Sequence, residues 1–138
     1  MTMRRDVSTI LIVGCALAWT TLAISAQNRG GTPEAAAVKN PVPSSAKSIA
    51  DGQKVYQTNC RHCHGAKALG DGPLAPTDPS PSNLTDAEWN HGSSDGEIFA
   101  LISNGAGPDS KMKAMKTKLS DRDIWNIIDY IRSLGPKQ

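Results

Sequence analysis

Cys60, Cys63 and His64 are the residues in this chain whose types and spacing can do chemistry together. Two thiols three positions apart can both reach the vinyl edges of one porphyrin as thioethers. The imidazole directly after them can then give a nitrogen to the iron. Cys60-Arg61-His62-Cys63-His64 is therefore read as the attachment site for one covalent haem c, with His64 as the proximal iron ligand. Rival thiol chemistries ask for more than the chain offers. A thioredoxin-like pair wants a βαβ context, and no strand pattern occurs. A structural zinc site wants a second Cys or His pair, and only Cys15, His62 and His91 remain. A disulfide between such close cysteines is the third alternative in an oxidising compartment.

Helices must position this motif. Ile49, Gly52, Tyr56 and Cys60 recur at three and four residues, which predicts a helix from about Ser48 running into the cysteines. Gly52 in its interior costs about 1 kcal/mol and needs a packing reason, such as close approach of another helix. From Gly65 to Asn90, Gly70, Gly72, Pro73, Pro76, Pro79 and Pro81 forbid a long helix, so this stretch is a loop that wraps the haem edge. Pro73 or a neighbour is expected to offer a carbonyl to the second nitrogen of His64. Ser94 with Glu97 makes a capping box for a second helix marked by Ile98, Leu101 and Ile102. A basic segment with two methionines, Lys111 to Lys118, follows it. Ser120 then caps a last helix with Ile124, Ile127, Ile128, Ile131 and Leu134 on one stripe, stopped by Gly135-Pro136.

The chain divides into three parts: residues 1–26, a linker over 27–47, and a haem domain over 48–138. Arg4 and Arg5 precede the uncharged run Val7 to Ala26, which ends in Ala23-Ile24-Ser25-Ala26. This predicts an export signal. The same run is long enough to remain as a membrane anchor, and Ile12-Val13-Gly14-Cys15 resembles a lipoprotein box that would lipidate Cys15. Each reading places the domain outside the cytoplasm, in the periplasm or on the outer face of the membrane. Gly30, Gly31, Pro33, Pro41, Pro43, Ser44 and Ser45 make the next stretch a flexible or extended tether. Fifteen Lys and Arg against thirteen Asp and Glu is a near-neutral balance that gives no footprint for nucleic acid.

The region from about Ser48 to Leu134 resembles a small class I c-type cytochrome. The resemblance rests on an ordered set: Gly52 and Tyr56, the Cys60–His64 motif, Gly72-Pro73, a methionine in the basic segment, then Leu119-Ser120, Trp125 and Tyr130-Ile131-Arg132. It implies an all-α fold of three to four helices and long loops around one haem, with Gly52 and Tyr56 crossing Ile127 and Tyr130. It also implies a methionine opposite His64. Met112, seven positions before Leu119, is the expected distal ligand, and Met115 is the alternative. Many relatives have a proline after that methionine, where this chain has Lys113. His62 is read as solvent-facing, His91 as a loop residue, and Trp89 and Trp125 as packing groups near the haem rim.

An iron held by histidine and methionine has both axial positions filled and can only change charge. The expected function is therefore one-electron transfer without catalysis, as a monomer serving redox proteins that present an acidic face to Lys111, Lys113, Lys116 and Lys118. The alternatives are a haem-bearing subunit of a membrane redox complex and, in a different class, a ligand-binding or catalytic haem with an open sixth position.

Overall fold

The structure, a computed structural model, describes residues 31–135. The run Val7 to Ala26, with its export, anchor and lipidation readings, lies outside the described residues, as does the stop at Pro136. Five helical segments follow in order: α1 (Pro33–Ala37), α2 (Ala46–Asn59), α3 (Arg61–His64), α4 (Asp95–Asn104) and α5 (Asp121–Leu134). Among the described residues there is no strand. The helical count exceeds three to four because α1 and α3 are single turns, one in the stretch read as linker and one within the haem motif itself.

The crossing of α2 and α5 is the centre of the fold. A methyl group on Gly52 would overlap the backbone carbonyl of Asn126, and it would come within 2.9 Å of the Ile127 nitrogen. Only hydrogen fits there, which is the packing reason the sequence demanded. One turn on, the rings of Tyr56 and Tyr130 lie 5.2 Å apart and tilted, the offset arrangement that aromatic quadrupoles favour. Tyr56, Ile124, Ile127 and Ile128 are fully buried, and Phe99 of α4 stacks on Trp125 at 4.1 Å.

All three long helices begin with reciprocal capping boxes. Ser94 with Glu97 and Ser120 with Asp123 follow the expected template. In α2 the box is Ser45 with Ser48, so the helix starts at Ala46, earlier than the periodicity indicated. A serine in place of the usual Glu or Gln at the third helical position hid this start.

The stretch from residue 31 to 45 is not a free tether. Thr32 caps α1, and α1 lies against α4 where a methyl on Gly96 would strike the carbonyls of Ala35 and Val38. Asn40 then donates from Nδ2 to the Asp129 carboxylate at 2.9 Å and to the Trp125 carbonyl at 3.3 Å, and its own side-chain oxygen accepts from the Val42 amide. Composition made this stretch look unstructured because it has almost no apolar mass of its own. It is held instead by polar groups of α5 that lie more than eighty residues away.

Candidate functional site

The haem motif is built as one tight turn continuing from α2. The Cys60 amide donates to the Tyr56 carbonyl at 2.8 Å, and the Cys60 carbonyl accepts from both Cys63 and His64. Cys60, Cys63 and His64 are thereby brought together. The loop after them folds straight back: Gly70 donates to the His64 carbonyl, Gly72 to Cys63 and Leu74 to His62, at 2.9, 3.1 and 2.7 Å. Gly72 has to be glycine for this, since a methyl would collide with the His62 carbonyl. The buried Tyr56 hydroxyl closes the turn from the other side by donating to the Gly65 carbonyl at 2.8 Å. The helix crossing therefore reaches the haem motif through a single phenol.

The site's electrostatics fit a ligating histidine and alkylated cysteines better than thiol redox chemistry. Both thiols are free among the described residues, and burial, with a smaller push from Cys63, raises Cys60 to about 12. An oxidoreductase cysteine needs the opposite shift, toward thiolate. Burial holds His64 below its ordinary value, against a small opposing pull from the Ser82 backbone, and so favours the neutral imidazole that binds iron. The His64 Nδ1 atom is buried with no hydrogen-bond partner among the described residues. The carbonyl expected from Pro73 or its neighbours therefore makes no hydrogen bond to this nitrogen; the backbone of Ser82 acts on the ring. No cluster of three or more His, Cys, Asp or Glu able to hold a bare metal occurs among the described residues, so the zinc reading lacks its ligands there. A soft sulfur pair and an orphaned imidazole nitrogen on one turn fit a haem.

Met112 and Met115 are both half-buried and pack against the core with Leu84, Trp89 and Phe99. Their backbones are held differently. Met115 donates to the Ile102 carbonyl of α4 at 3.0 Å and accepts from Leu119, whereas Met112 is tied within its own loop to Ser110 and Ala106. His62 is exposed between the cysteines. His91 lines a cleft of about 390 Å³ with Glu97, Leu101 and Ala106, and none of Cys60, Cys63 or His64 borders it.

The family model described as cytochrome c oxidase, cbb3-type, subunit III matches residues 47–131. The chain belongs to this cytochrome family. Subunit CcoP of the cbb3-type cytochrome c oxidase of Rubrivivax gelatinosus is 30% identical over 104 residues, covering 75% of this chain and 30% of the relative. The chain thus spans less than a third of that relative's length. Among solved structures, the reducing HAO-like protein complex of Kuenenia stuttgartiensis aligns with a TM-score of 0.61 at 26% identity, covering 72% of this chain and 50% of that one. Cytochrome CL of Methylophaga aminisulfidivorans aligns at 0.54 and 25%, covering 65% and 55%. The all-α small cytochrome c fold and the resemblance drawn from the motifs both hold. The cofactor is a covalently attached haem c, and the domain transfers electrons. Haem c supplies a one-electron iron couple; the protein's part is to attach it, bury it and ligate it.

One cluster was not read from the sequence. Arg132 in the last turn of α5 pairs with Asp95 in the first turn of α4 and lies over the Trp89 ring, 5.4 Å from its centroid. Charge complementarity with helix ends was the available signal: a cation near one C-terminus and an anion near another N-terminus.

Proposed function

We propose that this chain is an electron-transfer subunit of a membrane-bound oxidase complex, working on the outer face of the membrane with no catalysis of its own. The match of residues 47–131 to an oxidase-subunit family supports this reading over a freely diffusing carrier. In this reading Cys60 and Cys63 would hold the haem, His64 and Met112 would give its iron a nitrogen and a sulfur, and the domain is the complex's own electron relay. Methionine is a weaker donor than a second histidine and favours ferrous iron, which suits delivery of electrons toward an oxidase at high potential. The exposed lysines Lys111, Lys113, Lys116 and Lys118 steer an acidic partner onto the methionine side of the domain.

Among the described residues no helix is long and apolar enough to cross a membrane; in this reading Val7–Ala26 or a partner subunit holds the domain at the membrane. The test is to solubilise membranes gently from cells making the full chain and to follow covalent haem stain. Co-migration with an oxidase core through two separation steps is expected. Recovery of the stained chain wholly in the soluble extracytoplasmic fraction would overturn the subunit reading and leave a free carrier.

A further inference from the structure

The stretch 31–45 is poor in apolar side chains, yet it is held along its whole length. Gly31 lies so close to Glu97 that a methyl there would overlap the carboxylate. Thr32 caps α1, and the carbonyls of Ala35 and Val38 then come against Gly96 of α4, where only hydrogen fits. Asn40 is the strongest tie, since its amide donates to both the Asp129 carboxylate and the Trp125 carbonyl of α5. Asp129 is buried, and among the described residues Asn40 is its donor; a buried carboxylate left without one is costly. Val42 packs on the core, and the Pro43 carbonyl accepts from the Ser48 hydroxyl of α2 at 3.4 Å. Pro41 and Pro43 restrict the chain before it docks, so less entropy is lost when it does.

Docking shortens the free chain. An undocked stretch would let Ala26, the end of the uncharged run, and Ala46, the start of α2, stand up to about 70 Å apart. With the stretch docked, only Gln27, Asn28, Arg29 and Gly30 separate Ala26 from Gly31, a span of at most about 18 Å. A domain of this size is itself roughly 30 Å across. A tether shorter than the body it holds cannot let that body turn its far side to the point of attachment. The exit lies on the face made by α1 and α4. Gly31, Thr32 and Ala35 line one cleft of about 390 Å³ together with Leu101, Gly105 and Ala106. The methionine segment starts at that cleft, so the exit also fixes which way the segment is turned. By contrast, α2 packs on α5 and not on α1.

We infer that residues 31–45 are a docked arm that turns the α1–α4 face to the phospholipid surface and holds it within about 18 Å of the anchor. The domain stands on the membrane by one face and does not swing on a long leash. The inference rests on the reading that Val7–Ala26 holds the domain at the membrane.

The test uses the haem-loaded full chain with Cys15→Ser, the haem kept ferrous, in phosphatidylcholine vesicles that carry a nickel-chelating lipid. A nitroxide is placed at Glu34→Cys on α1 or at Lys54→Cys on α2, both exposed positions. Nickel should relax the label at 34 at least threefold more strongly than the label at 54. Asn40→Ala should free the arm, remove that difference, and speed tryptic cleavage after the exposed Lys39 at least tenfold. Equal relaxation at the two sites in vesicle-bound chain that keeps Asn40 would overturn the orientation and leave the anchor reading standing. Recovery of the chain free of vesicles would overturn the anchor reading and the orientation together. Rapid cleavage after Lys39 in the chain that keeps Asn40 would overturn the docked arm, whatever the chain is attached to. These last three readings need no Asn40→Ala protein, so they decide the matter even where that variant does not fold.

Discussion

The crossing of α2 and α5 and the segment from Gly105 to Leu119, which carries both candidate methionines, are built in opposite ways. At the crossing, side chains and backbone interlock with no free volume: Gly52 against Asn126, Tyr56 on Tyr130, and isoleucines with no exposure at all. The methionine segment has no helix. A few backbone bonds to α4 and to itself hold it, while its lysines stand in solvent. The Tyr56–Gly65 link holds the turn that carries Cys60, Cys63 and His64. The methionine segment is held by contacts each worth about 1 kcal/mol, so substitution there is expected to leave the domain folded.

The contrast can be broken most severely at Gly52. Gly52→Ala places a methyl against backbone that cannot turn aside, and overpacking of this kind costs about 3 kcal/mol or more. Denaturant titration should show this loss with the haem still attached. Stability within about 0.5 kcal/mol of wild type would mean the helices can separate freely and the crossing is not the rigid half.

The two methionines give the next effect. Met115→Ala removes a half-buried side chain next to α4 and should cost about 2 kcal/mol, the lower end of the core range. Met112→Ala should cost less, yet abolish the red charge-transfer band of iron–methionine coordination, admit carbon monoxide and lower the potential. If Met115→Ala removes the band and Met112→Ala leaves it, the ligand assignment reverses.

A smaller effect tests α4, which ties the two regions together. The amide of Ser94 holds the Glu97 carboxyl below its ordinary value, and the side chain of Ser94 and the Ser93 backbone add to this against a modest desolvation. A depressed carboxyl contributes stability above its unfolded value of 4.5 and loses it as pH falls through the lower folded value. Glu97→Gln should therefore lower stability at neutral pH, where the charge-dependent part is fully present, and flatten the acid limb below about pH 4.5, where variant and wild type converge. Ser94→Ala should cost about 1 kcal/mol at neutral pH, measured by thermal unfolding. An acid limb unchanged in Glu97→Gln would show that the box carries no charge-dependent stability.

The lysines should give the smallest stability effect and the sharpest kinetic one. Reversing Lys111 and Lys118 to glutamate should leave stability within about 0.5 kcal/mol. Electron transfer to an acidic partner should slow at 0.01 M salt, where screening extends over about 30 Å, and converge with wild type near 0.1 M, at about 10 Å. Rates indifferent to both salt and reversal would make the segment a solvated loop.

The chain's own letters determined what depends on neighbours in sequence. The Cys60–His64 spacing named the cofactor because both thiols and the imidazole fall on one helical turn. The stripe from Ile124 to Leu134 and the boxes at Ser94 and Ser120 placed α4 and α5, because periodicity and capping act over three or four residues. Gly52 announced a close crossing without saying what crosses. Tertiary structure decided everything that depends on distant partners. Asn40 docks a polar stretch that looked like tether because Asp129 and the Trp125 carbonyl come to meet it. Gly72 and Leu74 fold back onto Cys63 and His62 because the loop closes in a way its prolines do not encode. Arg132 finds Asp95, Ser93 and Trp89 across some forty residues of chain. Local periodicity records which face a helix buries, but a hydrogen bond between residues far apart in sequence leaves no spacing to read, so only the folded chain reveals it.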